Sequence, residues 1–572
     1  MIKKNDIIEV NITDYGTNGE GVAKVDGFTI FINGAIKGEK CKIIITKVLK
    51  THGFGKVTKI IEESDKRVKI DCKTYPRCGG CSLRHINYTE TLNIKKEKVQ
   101  NLITRNVDKN LKVNDCIGMD NPFYYRNKAI YPVTYAEKIK LDNKEPNEVF
   151  LENTNKKSER INNKINEQRK LNSDVTIKYK EPNDYMFIKP GIYAKRSHIV
   201  VPFEECKIQT INSQKIAEYI CNNWKSTIYN EESDNKLKNK YNQNCNNDFN
   251  PINNTDKNEN LKSNPGILRN IMIREGFETG EILVTIVESK FEKNAIDVQK
   301  LVKEFPNIKT VVANINSKNT NVVLSNENIV LYGDGFIYDK IGEYTFKISP
   351  NSFYQVNPAQ TKVIYETAIK EANLNKNDVL CDLYSGIGTI GIFASKYVKK
   401  VYGIEIVSDA IKDARENAKI NNINNIEFIE GDVEKAFDKL LRNFKQKKGD
   451  NFEQAEDKKQ GKSNKNTVEK ESINVETIET TNNNKESLMP NAVIVDPPRK
   501  GLDEKTIQNL CMLNLEKLVY VSCNPATLAR DLSTLKSKYN IKSITPIDNF
   551  PYSSHVETVV TMTKNISNKI YI

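Results

Sequence analysis

The feature that most constrains the fold lies in the C-terminal half, where short apolar runs alternate with helical ones. DVLCDLYSG reads as a strand ending in a turn, TIGIFASKYV as a helix and KVYGIEI as a second strand. SDAIKDARENAKINN is again helical, NIEFIEGD is a strand, and NAVIVDPPR and KLVYVSCNP are two further strand ends. Apolar strands separated by amphipathic helices pair in parallel and are covered on both faces. From about residue 341 the chain is therefore expected to form an α/β, doubly wound, Rossmann-like sheet with ligand sites at the strand C-termini.

Residues 5–60 have another texture. DIIEVNIT, TNGEGVAKVDG, FTIFI, EKCKIIITKV and FGKVTKIIE alternate apolar and polar residues between glycine turns. That pattern predicts a small β-barrel of the kind that binds oligonucleotides. The expected organisation is a barrel over 1–63, a central α+β domain over 64–340 and the doubly wound domain over 341–572. Three stretches, 137–180, 226–263 and 446–488, are rich in Lys, Asn and Glu and read as surface insertions, because they lack the apolar content to offset ordering entropy. Cys245, inside the second, is expected to be functionally silent.

A chain of 572 residues with a net charge of +13 favours a polyanionic partner: RNA, DNA or an acidic membrane surface. The start, MIKKNDIIEV, has no apolar signal region, and no run of about 18 uncharged apolar residues occurs, so a cytoplasmic protein is expected. In a reducing compartment, clustered cysteines read as metal or cluster ligands or as catalytic thiols.

Asp382-Leu-Tyr-Ser-Gly-Ile-Gly-Thr389 runs from a strand into a glycine turn that opens a helix, and Glu405 ends the next strand, where it can bind ribose hydroxyls. NAD would suit such a turn. However, the third glycine is displaced to Gly391 and an acid precedes the turn, which favours S-adenosylmethionine, whose cationic groups want carboxylates. Asp496-Pro-Pro-Arg499 puts another carboxylate at the same sheet edge, on a turn stiffened by two prolines. Arg499 stands where enzymes acting on amino nitrogens carry an aromatic residue. Cys523, in VYVSCNP, ends the following strand and is the candidate nucleophile; Cys381 and Cys511 read as buried thiols. His555 and Glu557, in DNFPYSSHVETVV, are the candidate bases, with Glu557 favoured and His555 given a positioning or RNA-contacting role.

Together DLYSGIGTIG, DPPRKGLD, VSCNPATLARD and DNFPYSSHVETV resemble the RNA uracil-5-methyltransferase family, and the N-terminal barrel resembles a TRAM domain. The resemblance covers most of the chain outside the insertions. It implies a cofactor site of Gln355, Tyr384, Thr389, Glu405, Asp432 and Asp496, with Cys523 as nucleophile and Glu557 as proton acceptor. Thr389 replaces an asparagine of some members, and Ser553-Ser554 replaces a threonine and a small residue. The implied reaction adds the Cys523 thiolate to carbon 6 of a uracil, so that carbon 5 can take a methyl group. The target nucleotide must then be unstacked or flipped.

Cys72, Cys78 and Cys81 form a tight trio, and Cys206, after a strand-like run, is the best fourth ligand for an iron–sulfur cluster or a structural zinc. By resemblance to the cluster-bearing branch of the family, a 4Fe–4S cluster is expected, and with it 23S ribosomal RNA as substrate and a monomeric enzyme. Transfer RNA is the second candidate substrate. More distant alternatives are a DNA cytosine-5-methyltransferase and a non-catalytic metal-stabilised RNA-binding module. The basic and aromatic run Tyr124-Tyr125-Arg126-Asn127-Lys128 matches a signature of the family and is expected to touch RNA.

Overall fold

A computed structural model describes residues 2–75, 77–137, 186–229, 267–447, 488–513 and 515–565. The three expected insertions, Cys245 included, lie almost wholly outside the described residues. At the N-terminal end six strands between Ile7 and Glu62 form one sheet, with Phe28–Asn33 and His52–Glu62 at its centre. Alternation sorts its side chains. Ile30, Ile32, Cys41, Ile43 and Ile45 turn inward and are fully buried, whereas the rings of Phe31, His52 and Phe54 gather on the outside.

The central part is a seven-stranded sheet in which Lys128–Glu137 lies beside Leu268–Glu275, with helix Ile211–Asn223 packed on it. A hairpin, Ile337–Ile341 and Tyr344–Ile348, straddles the expected boundary at 340. Its apolar residues Ile337, Tyr344 and Phe346 belong to the core of the C-terminal domain. Helix Tyr88–Asn106 behaves in the same way. It starts where the Asn87 side chain accepts from the Glu90 N–H at 2.8 Å, and it buries Ile94, Val99 and Ile103 along one stripe. Val99 and Ile103 share a core with Cys381 and Leu383 of the C-terminal sheet and with Leu528 of helix Pro525–Leu535.

That sheet carries β1 (Val379–Leu383), β2 (Lys400–Glu405), β3 (Ile426–Glu430), β4 (Ala492–Val495), β5 (Lys517–Ser522), β6 (Tyr539–Ile547) and β7 (Glu557–Lys564). Their spatial order is β3-β2-β1-β4-β5-β7-β6, with β7 the antiparallel strand between β5 and β6. β1, β4 and β5 are buried along almost their whole length, as the sequence texture predicts for parallel strands covered on both faces. The reversal of strand order beside β1 opens a crevice at the strand C-termini. Among the described residues, no helix is long and apolar enough to cross a membrane.

Candidate active site

Three candidate residues reach one edge of the sheet because parallel strands end together. Leu383 pairs with Ile404 on one side and Val495 on the other, so Tyr384, Glu405 and Asp496 follow at the same level. Gly386 and Gly388 both have positive φ, at 54° and 82°, and their roles differ. A Cβ on Gly388 would lie 2.6 Å from the Phe428 ring, so this glycine serves packing, while the space beside Gly386 is open. Gly391 brings the first turn of helix Thr389–Ser395 against β1, and its N–H donates to Asp382 Oδ2 at 2.9 Å. The other oxygen, Oδ1, is buried without a partner.

Glu405 fastens its own turn. Its Oε2 accepts from the Gly386 N–H at 3.0 Å, and its Oε1 accepts from Ile406 at 2.8 Å and Val407 at 2.9 Å. Oε2 keeps a second lone pair, so capacity for a ligand hydroxyl is left. Tyr384 has φ of 66°, and its hydroxyl donates to Asp503 at 3.4 Å. The Thr389 hydroxyl is 2.8 Å from that of buried Tyr365. The Gln355 carbonyl accepts from Asn127 Nδ2 at 2.9 Å. Asp432 is exposed at the rim, where its Oδ1 accepts from the Lys435 N–H at 3.3 Å and caps helix Val433–Lys447.

Cys523 and Glu557 meet through β5 and β7. Ser522 pairs with Thr558 in that antiparallel ladder, so the next position sets Cys523 opposite Glu557. Asn524 caps helix Pro525–Leu535 and also donates through Nδ2 to the Arg499 carbonyl at 3.0 Å, which joins the Cys523 turn to the Asp496 turn. Burial, then the Glu557 and Asp496 carboxyls, push the Cys523 thiol up to about 11, while Arg499 draws it down. Glu557 is 4% exposed. Burial and then Asp496 raise it to about 8, opposed by Arg499 and by the Asn549 amide, which lies close without meeting hydrogen-bond geometry. Burial lifts Asp496 to about 7. Asp382 rises to about 8 by burial, with Asp496 and Glu405 adding to it against the Gly391 N–H.

His555 differs. The residue is exposed, yet partial burial of its ring and then Arg499, Lys98, Lys95 and Arg126 push it down to about 4. A base works best when its pKa lies near the working pH. By that criterion Glu557 is the stronger candidate for taking a proton, and His555 is a neutral ring at a cationic rim.

Two neighbours escaped the sequence reading. Tyr365, on helix Pro358–Glu371, lies close enough to Asp496, Asp382 and Glu557 for all three to act on it. Asp548, fully buried, takes bonds from Tyr88 and Lys95, and Lys95 also donates to the Phe550 carbonyl at 3.0 Å. Helix Tyr88–Asn106 thereby fixes the loop that precedes Glu557. Nothing local in the sequence marks either one, because each acts through a partner far along the chain.

Cys72, Cys78, Cys81 and Cys206 line one small cavity, together with Tyr75, Arg84 and Phe203. The Gly80 N–H points at Cys78 Sγ at 3.3 Å, and the N–H groups of Ile208 and Gln209 act on Cys206. Burial, with the other thiols behind it, pushes Cys81 up to about 12. Among the described residues, no three His, Cys, Asp or Glu side chains are grouped so as to hold a metal ion. Of the run at 124–128, Tyr125 is buried and its hydroxyl donates to the Pro551 carbonyl at 3.3 Å. It cannot stack on a base. Tyr124, Arg126 and Lys128 of the run are only partly buried.

Three family models match: tRNA (uracil-5-)-methyltransferase over residues 474–565, a methyltransferase domain over 374–480 and the TRAM domain over 3–58. An RNA methyltransferase of Clostridium tetani is 33% identical, with 98% of this chain and 97% of that protein covered. One from Oceanobacillus iheyensis is 34% identical over 99% and 98%. Among solved structures, the Pyrococcus abyssi tRNA (uracil-54, C5)-methyltransferase bound to S-adenosyl-L-homocysteine superposes with a TM-score of 0.60 at 20% identity. It covers 97% of this chain and 100% of its own.

Proposed function

The chain belongs to the RNA uracil-5-methyltransferase family and carries a TRAM domain; from that premise we propose that it methylates carbon 5 of a uridine through a covalent bond to Cys523. The observation that carries this reading is the β5–β7 register, which sets a thiol opposite a buried carboxylate at the ligand edge of the sheet. Cys523 adds to carbon 6 and makes carbon 5 nucleophilic. After methylation, Glu557 takes the carbon-5 proton, and elimination returns the thiolate. Cys523 lies at the N-terminal end of helix Pro525–Leu535, where the helix dipole favours an anion.

The residues present fit S-adenosylmethionine. Buried Asp382 Oδ1 has no partner, the space beside Gly386 is open, and several carboxyls crowd one crevice. These are features a cationic ligand relieves. Gln355, Tyr384, Thr389, Glu405, Asp432 and Asp496 would hold it, and it would supply an electrophilic methyl group.

A pH dependence follows. Asp382, Asp496 and Glu557 are raised to about 8, 7 and 8, so in the free protein they are largely protonated at pH 6. A cation binds their ionised forms. Affinity for S-adenosylmethionine should therefore rise from pH 6 to pH 8, with protons released, as calorimetry in buffers of different ionisation enthalpy will detect. The sign for stability is opposite. Acids raised in the fold bind more protons folded than unfolded, so the free protein should lose stability as pH climbs from about 4 to about 8.

For the substrate we propose 23S ribosomal RNA, with the target uridine flipped out and the barrel touching the flanking strand. The four thiols around one cavity, with N–H groups aimed at two of them, support a 4Fe–4S cluster there. Anaerobically purified protein should contain iron and sulfide, both lost in Cys81→Ser; zinc in their place contradicts the cluster. Nucleoside analysis after incubation with 23S rRNA and with unmodified tRNA tests the activity. New 5-methyluridine in 23S rRNA is expected; label only in tRNA moves the substrate, and 5-methyluridine in neither contradicts the reading.

A further inference from the structure

Among the described residues, three cations stand together at the start of the central strand Lys128–Glu137 with no carboxylate acting on them. Lys128 and Arg274 are register partners on adjacent antiparallel strands, so their side chains share a face, and Arg126 precedes Lys128 by one alternation. Arg274 is 4% exposed; its Nη2 donates to the Ser352 carbonyl, while Nε and Nη1 are buried with no acceptor. Arg126 Nε also lacks one, although Tyr125 and then the Cys81 and Cys206 thiols lie near that guanidinium. Among the described residues, the charges acting on Lys128 are Arg274 and Arg126, which together with the larger effect of burial lower it to about 7. Arg126 is eased by Tyr125 and the thiols, but Lys128 and Arg274 are desolvated cations side by side, and such a pair destabilises a fold unless an anion joins it.

The position of the trio identifies the anion. Arg274 holds the Ser352 carbonyl, and Asn127 holds those of Gln355 and Val356, so one side borders the Gln355 loop of the crevice. On the other side Arg126 acts on His555, two residues from Glu557. Arg126 and Lys128 are partly buried and Arg274 is buried. We propose that Arg126, Lys128 and Arg274 form a binding site for a backbone phosphate of the RNA strand beside the target uridine. The site rests on the RNA-methylation reading. A phosphodiester has two free oxygens, which match a guanidinium fork and an ammonium, and its charge would return Lys128 to the cationic form.

The test uses the full chain, wild type and Lys128→Met. Removing an uncompensated buried charge should leave the melting temperature of the free protein unchanged or higher. Affinity for a 23S rRNA fragment should fall about tenfold, with the log–log salt slope reduced by roughly 0.7 to 0.9. Inorganic phosphate should raise the melting temperature of the wild type and not that of the variant. A lower melting temperature with unchanged RNA affinity and slope overturns the site. Weaker binding of S-adenosylhomocysteine with an unchanged RNA slope overturns it too, because the anion would then be the cofactor's carboxylate. Methylation by the wild type in the same preparation separates the two ideas. If it makes 5-methyluridine and the variant's slope is unchanged, only the phosphate site fails; if it makes none on any RNA, the methylation reading fails.

Discussion

Cys523→Ala is expected to lower methyl transfer by about 10^4-fold or more while S-adenosylmethionine still binds, since removing a nucleophile deletes the pathway rather than one contact within it. The substitution is mild for the fold. Cys523 is half-buried at the end of β5, and the turn is held independently by Asn524, which bonds the Arg499 carbonyl at 3.0 Å and caps the next helix. Stability should change by no more than about 1 kcal/mol. Single-turnover rates with saturating RNA, beside a melting curve, check both statements. A variant that keeps a tenth of the wild-type rate would remove Cys523 from the chemistry.

Glu557→Gln is expected to act after the methyl has been transferred. The amide keeps the shape of the carboxyl but cannot take the carbon-5 proton, so turnover should drop by about 10^2- to 10^4-fold while a methylated protein–RNA adduct accumulates. The variant should be at least as stable as the wild type above about pH 5, because it removes a buried acid whose ionisation the fold resists. Denaturing gels run through a time course distinguish this from a binding defect: a slow-migrating band that persists is expected. Rapid release of 5-methyluridine RNA would move the proton-accepting role to His555. Its low basicity among Arg499, Lys98, Lys95 and Arg126 argues against that outcome.

What was legible in the sequence follows the range over which each signal acts. The alternation from DVLCDLYSG to VSCNP fixed β1 to β5, because strand, turn and helix start are each written within about ten residues. Asp496 and Cys523 were legible for the same reason: a residue just past a buried parallel strand lands at the ligand edge. The partners of those edge residues were not legible. Glu405 reads as a ribose ligand but also fastens the glycine turn through three N–H groups. Thr389 turns to Tyr365, whose place depends on a helix packed from before β1. Tyr125 reads as a stacking aromatic but is buried against the loop before Glu557, a contact across 426 residues of sequence. Helix Tyr88–Asn106, far ahead of the crevice in sequence, belongs to the same core and holds Asp548 in place.

The most direct measurement is the mass of the protein after incubation with S-adenosylmethionine and a 23S rRNA fragment carrying 5-fluorouridine at the target. Fluorine at carbon 5 cannot leave as a proton does, so the adduct should persist. The expected species is protein plus RNA plus one methyl group, with the link mapped by peptide sequencing to Cys523. Formation of 5-methyluridine from ordinary RNA with no adduct on the fluorinated one, or an adduct on another cysteine, would contradict the account.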